Sequence, residues 1–294
     1  MKAGEARILL TGATGGIGQE AAAVLLAAGA RVMLTGRSAQ SLAATARGLR
    51  NRHGVGDQEV PWVVSDLREA REVDRLAEHA AAWQCNVLVH AAGAPAFGAL
   101  ETMDAAQMTA VLQTNLLAPM LLTRALLPHL RRQPRAQVLC VGSVLGALGL
   151  PGFSVYSASK FGLRGFAESL RRELGDSPIG VQYLGPRSTR TAFNSDAVDG
   201  YNKATGTAMD APEVAAQALL QLIESGAAER FLGFPESLAV RLNGLAPGLL
   251  DGAFRKHRGS LPALTAPPAP VLDCTLPTDT PAEADSHSLM RGAL

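Results

Sequence analysis

At 294 residues the chain accommodates one large α/β domain or two small ones, and 47% hydrophobic residues are ample for a core. A net charge of +1 excludes the basic excess of a general nucleic-acid binder. Cys85, Cys140 and Cys274 have no metal-ligand spacing and an odd count, so they are read as reduced thiols of a cytoplasmic protein, with no metal site.

Lys2, Glu5 and Arg7 precede the first apolar run, which is not the pattern of a secretory signal. No apolar run approaches the roughly 20 residues that a bilayer span needs. Residues 7–10 form a short strand that ends in Thr11-Gly12-Ala13-Thr14-Gly15-Gly16-Ile17-Gly18, and an Ala-rich helix follows. Strand, glycine loop and helix in that order make a phosphate site, since glycines admit a pyrophosphate to the backbone and the helix start offers free N–H groups. A plain tight turn is the alternative, and the flanking elements favour the nucleotide. The second strand, residues 31–35, ends at Gly36-Arg37. An acid here would bind the 2′-hydroxyl of NAD, whereas Arg37 suits a 2′-phosphate through its forked, permanently charged donors.

A helix over 40–53 leads to a strand at 60–64 and then Asp66-Leu67, where the acid either meets an adenine amino group or caps the next helix. The strand 86–90 opens into Ala91-Ala92-Gly93, and His90 is read as a buried, satisfied histidine without chemistry. The apolar segment 105–130 is expected to be a helix interrupted around Pro119 and Pro128, with Asn115 bonded at a local kink. Strand 137–142 delivers Ser143 at its C-terminal end, the end at which open parallel sheets bind ligands.

Tyr156 and Lys160, four apart on a helix running to about residue 174, share a face. An ammonium near a phenol favours the phenolate, so the pair is expected to lower the Tyr156 pKa and make it a proton donor or acceptor beside Ser143. A strand at 180–184 follows, and residues 192–208 read as an irregular lid. Asp210 and Glu213 resemble a capping box for a helix over 214–225. Strands and helices alternate without a linker, so residues 1–259 are taken as one domain. The Pro/Ala-rich stretch 260–294 is expected to be a disordered tail.

Together the TGATGGIG loop, Asp66-Leu67, Ala92-Gly93, Asn115, Ser143, the YSASK box and Pro186 with Thr191 resemble the short-chain dehydrogenase/reductase family over residues 5–235. The resemblance implies a Rossmann-type, doubly wound parallel sheet of about seven strands with helices on both faces. It implies a catalytic tetrad of Asn115, Ser143, Tyr156 and Lys160, and cofactor contacts from Gly12, Thr14, Gly16, Ile17, Gly18, Arg37, Asp66, Leu67, Ala92, Gly93, Tyr156, Lys160 and Thr191. Tyr156 would protonate a carbonyl oxygen as hydride arrives, Lys160 would hold the nicotinamide ribose, Ser143 the substrate oxygen and Asn115 a water relay. Two departures stand out. His90-Ala91-Ala92-Gly93 replaces the usual Asn-Asn-Ala-Gly, a form similar to that of polyketide ketoreductase domains, and Pro186-Arg187 replaces Pro-Gly. A homodimer or homotetramer is expected by the same analogy.

The leading function is therefore NADPH-dependent reduction of a ketone to an alcohol; an NAD-dependent alcohol or hydroxysteroid dehydrogenase and a nucleotide-sensing regulator are the alternatives. Val144, Leu145, Leu148, Leu150, Phe153 and Phe193 are expected to line an apolar channel with Arg187 and Arg190 at its mouth. That arrangement suits a β-ketoacyl group on a CoA-like or carrier-bound thioester, unless the arginines pair with Asp196 or Asp199. The segment 238–258 is read as a helix closing this pocket in preference to one resting on a membrane surface.

Overall fold

Strands that are apolar on both faces, such as Ile8-Leu9-Leu10 and Val87-Leu88-Val89, can be buried only between two layers of helix. The structure, a computed structural model, describes residues 1–262 and arranges them in this way. The strands are β1 Arg7–Thr11, β2 Arg31–Gly36, β3 Trp62–Val64, β4 Val87–His90, β5 Ala136–Val141, β6 Ile179–Gly185 and β7 Glu229–Phe231. They form one parallel sheet of order β3-β2-β1-β4-β5-β6-β7. The order reverses between β1 and β4, so a crevice opens beyond the C-terminal ends of these two strands.

The helices are α1 Gly16–Ala27, α2 Ala39–His53, α3 Ala70–Ala82, α4 Ala105–Leu112, α5 Ala118–Leu130, α6 Ser154–Glu173, α7 Asp196–Thr205, α8 Pro212–Ser225, α9 Glu236–Leu245 and α10 Arg255–Gly259. Ala21, Ala22 and Leu25 of α1, Leu42 and Ala46 of α2, and Ala215 and Leu219 of α8 fill one face of the sheet. Val73 and Leu76 of α3, Leu122 and Leu126 of α5, and Leu163 and Ala167 of α6 fill the other.

Several expectations need correction. The segment 105–130 does not break at its prolines. A π-helical turn, Gln113–Leu117, joins α4 to α5. Pro119 falls in the first turn of α5, where its missing N–H costs little, and Pro128 lies inside the helix. The continuous helix Ala105–Leu130, 26 residues with an 18-residue window of mean hydropathy 1.3, is long and apolar enough to cross a membrane by length and composition. Polar residues such as Gln107 and Asn115 broke up the run in the sequence, and in the fold the helix packs on α3 and α6. The lid is not irregular either: Ser195 caps α7 by accepting from the Val198 N–H, and Gly206 ends it in the left-handed conformation. Asp210 caps nothing. The helix α8 begins at Pro212 after Ala211, without a side-chain cap, because the Asp210 carboxylate is held by Arg187. The third strand is shorter than expected, Trp62–Val64, because Pro61 before it has no N–H to give the ladder. Residues 263–294, expected to be disordered, lie outside the described residues.

Candidate active site

The glycine loop is shaped first by its own packing. Gly12 has φ +67°, and a Cβ there would meet the Ala92 backbone; one at Gly18 would strike the Gly12 carbonyl. The loop therefore lies against the end of β4, where the Thr11 hydroxyl accepts from the N–H groups of Ala91 (3.0 Å) and Ala92 (3.1 Å). No side chain caps α1, so its first-turn N–H groups are left for a ligand.

A cavity of about 600 Å³ runs along this edge of the sheet. At one end it is lined by Gly12, Thr14, Gly16, Ile17, Gly18, Arg37, Asp66 and Leu67; in the middle by Ala92, Gly93 and Thr191; and at the other end by Ser143, Tyr156 and Lys160. Asn115 does not line it, although its neighbour Thr114 does. Held in the π turn, the Asn115 amide accepts from Ala94 N–H at 2.7 Å and donates to the Ala94 carbonyl and the Ser159 hydroxyl, both at 3.0 Å. It clamps the β4 loop to α6, and both of its N–H bonds are used.

Burial sets the electrostatics. It pushes the Tyr156 phenol up to about 12, and the Ser143 hydroxyl pulls it only part of the way back. The lowering expected from Lys160 is not found. The ammonium is 5.8 Å from the Tyr156 ring centroid and donates to the Val141 carbonyl at 3.1 Å, and burial drives its own pKa down to about 8. At neutral pH the pair is thus a protonated phenol beside a charged ammonium. His90 is buried, bonded to the Thr123 hydroxyl at 2.8 Å and held neutral by burial.

Asp66 is neither a cap nor free. It accepts from Arg68 Nη2 at 2.6 Å and Nε at 3.0 Å, and Arg68 is the first cause of its lowered pKa, with Arg37 adding a smaller pull. Arg37 itself makes no hydrogen bond or ion pair among the described residues, which leaves its guanidinium available to a ligand. Arg68 was missed in the sequence because a charged residue after a strand has no signature of its own. Tyr183, inside β6, was missed because its partner Ser143 lies forty residues away in the chain. Its hydroxyl donates to the Ser143 carbonyl at 2.9 Å and accepts from the Ser143 N–H at 3.1 Å. A Cβ at Gly142 would overlap the Tyr183 ring.

The six expected apolar residues all line the cavity, joined by Phe97. Phe97 meets Phe153 at 4.8 Å in a tilted contact and Tyr201 at 5.1 Å edge-on, and Phe193 meets Tyr156 at 6.1 Å between centroids. The mouth differs from expectation. Arg187 is bound to Asp210 at 2.6 Å and Glu236 at 3.4 Å, so its charge is already answered. Arg190 is exposed and donates to the Met209 carbonyl.

The short chain dehydrogenase family model matches residues 6–202. The chain belongs to the short-chain dehydrogenase family. It is an oxidoreductase of that family, similar to dehydrogenase/reductase SDR family member 7B of Xenopus laevis (32% identity over 254 residues, covering 82% of this chain and 78% of the relative). The Bos taurus protein of that name is 33% identical, over 86% of this chain and 82% of its own. Among solved structures, a short-chain dehydrogenase from Streptomyces avermitilis superposes with TM-score 0.71 at 26% identity, covering 86% and 98% of the two chains. A variant of actinorhodin polyketide ketoreductase with NADPH superposes with TM-score 0.69 at 26% identity, covering 79% and 97%. The residues present fit a nicotinamide dinucleotide: an uncapped helix start, a loop whose glycines admit close approach, and a guanidinium without a partner among the described residues.

Proposed function

We propose that this short-chain dehydrogenase is an NADPH-dependent reductase that converts an apolar ketone to a secondary alcohol. The observation that carries the reading is the single cavity with Ser143, Tyr156 and Lys160 at one end and the α1 start with Arg37 at the other. When bound, the cofactor supplies the hydride. Arg37 holds the 2′-phosphate, the loop from Gly12 to Gly18 the pyrophosphate, Asp66 and Leu67 the adenine, and Ala92, Gly93 and Thr191 the nicotinamide side. Tyr156 gives its proton to the carbonyl oxygen that the Ser143 hydroxyl holds, and Lys160, on the lining beside it, would hold the nicotinamide ribose. A phenol raised to about 12 holds its proton at neutral pH, as a general acid must before it donates. Asn115 keeps α6 in register with the β4 loop.

For the substrate, an aromatic and aliphatic wall selects apolar bulk, and the contact between Arg187 and a carrier phosphate is withdrawn. A β-ketoacyl thioester remains a second reading, favoured by the exposed Arg190 and the likeness to a polyketide ketoreductase. A homodimer through α4 and α6 fits the exposed Leu112, Leu117 and Phe161. The test follows NADPH oxidation against aryl ketones, quinones and acetoacetyl-CoA. Tyr156→Phe should lower turnover by about 10²–10⁴-fold with NADPH binding kept. Wild-type turnover in that variant would refute the mechanism.

A further inference from the structure

The chain from Gly233 to Leu261 crosses the substrate end of the cavity as an outer wall. Its inner side is well held: Val240 packs with Val144, Ala147 and Leu148, Asn243 donates to the Ala147 carbonyl at 2.9 Å, and Leu261 closes with Phe97 around Gly152. Its outer side is another matter. Leu238, Leu242 and Leu245, spaced four and three apart on one face of α9, are 57%, 40% and 86% exposed, and Phe234 just before the helix is 77% exposed. A contiguous apolar stripe of this kind marks an interaction surface. Arg241 lies on the same face, three after Leu238 and four before Leu245. Over residues 234–259 the cations Arg241, Arg255, Lys256 and Arg258 face only two acids, Glu236 and Asp251, and Glu236 is taken by Arg187.

We propose that this outer face of α9 docks the protein on an anionic lipid surface. Apolar side chains flanked by cations are what an interfacial helix needs: the leucines enter the acyl boundary and the cations meet anionic headgroups. A second copy of this chain fits worse, because a two-fold contact would bring Arg241 and its symmetry mate together in the same apolar patch. The placement also has a use. The apolar cleft lies one helix behind the docked face, so a lipid-dissolved ketone is met where it is concentrated.

The test is flotation of the full chain with phosphatidylcholine vesicles that contain or lack phosphatidylglycerol, read without turnover and so independent of the reaction proposed above. Binding should require phosphatidylglycerol and weaken with salt. The double variant Leu238→Ser/Leu245→Ser, at two exposed positions, should melt like wild type and lose vesicle binding by at least about tenfold. Arg241→Glu, on the docking face itself, should lose at least about tenfold as well. Wild-type binding in either variant, or no binding of the full chain at low salt, overturns the proposal. A loss of oligomer mass in the leucine variant, seen by light scattering and without vesicle binding, also overturns it by assigning the face to a second copy.

Discussion

Replacing Tyr183 by phenylalanine removes one oxygen atom from beneath the site, and the structure fixes what that should do. The hydroxyl makes two bonds to the backbone of a single residue, to Ser143 C=O at 2.9 Å and from Ser143 N–H at 3.1 Å. The carbonyl keeps a second partner in the Gly146 N–H at 3.0 Å, whereas the Ser143 N–H has none other among the described residues. At about 1 kcal/mol for each bond the loss is about 2 kcal/mol, equivalent to roughly 4–8 °C in melting temperature for a domain of this size. Phenylalanine still fills the space against Phe231 and Gly142, so the fold should survive. The Ser143 hydroxyl, no longer fixed by its own backbone, should drift, and turnover should fall by at least about tenfold. The Michaelis constant for NADPH should not move, because Tyr183 does not line the cavity. Thermal melting and steady-state NADPH oxidation read all three quantities. Wild-type melting together with wild-type turnover would refute the argument, as would a loss confined to NADPH affinity.

Arg37→Ala should raise the Michaelis constant for NADPH by at least about tenfold and leave that for NADH nearly unchanged, as expected for the loss of one charge-assisted contact. Equal losses with both cofactors would remove Arg37 from this role. Turnover should fall as pH rises through about 8, where Lys160 loses its proton, well before Tyr156 titrates near 12. The same depressed Lys160 pKa acts on stability with the opposite sign: between about 8 and 10.5 the unfolded chain binds more protons, so this group's contribution to folding grows as pH rises. A pH–rate profile paired with melting curves over that range tests both signs. Arg187→Met should leave Asp210 and Glu236 unanswered and loosen α9, seen as faster amide exchange over 236–245, with the ketone Michaelis constant raised and turnover at saturation little changed.

Most of the strand and helix order was legible because the residues that decide it act locally. Apolar runs, the glycine loop and the Tyr156–Lys160 spacing each need only a few neighbours to be understood. What was not legible depends on partners far along the chain. Asp210 and Glu213 had a capping box's spacing, but the nearest cation in space, Arg187, took the carboxylate and altered two readings at once: the helix cap and the cationic mouth. Lys160 had the right spacing to depress the Tyr156 pKa, yet burial, which no local pattern reveals, decided the direction. The π turn at Gln113–Leu117 was likewise hidden, since it is fixed by the Asn115 bonds to Ala94 and Ser159. The lid helix escaped notice because only Val198 and Tyr201 of its short length are large and buried.

The outer wall at residues 233–261 has a further consequence for how this protein can change. That stretch leaves the sheet after its last strand; among its described residues Glu236 lines the cavity and Val240 backs the lining residues Val144 and Leu148. It is fastened by a handful of polar bonds, Glu236 to Arg187 and Asn243 to Ala147 among them, and by apolar contact with Leu148. Mutations can therefore accumulate there without passing through the phosphate loop or the tyrosine helix, and substrate range becomes a trait that drifts separately from cofactor choice. Exchanging residues 233–261 for the equivalent stretch of a relative should re-rank the ketones accepted while leaving the Michaelis constant for NADPH in place; a matched shift in both would show that the two halves are not separable.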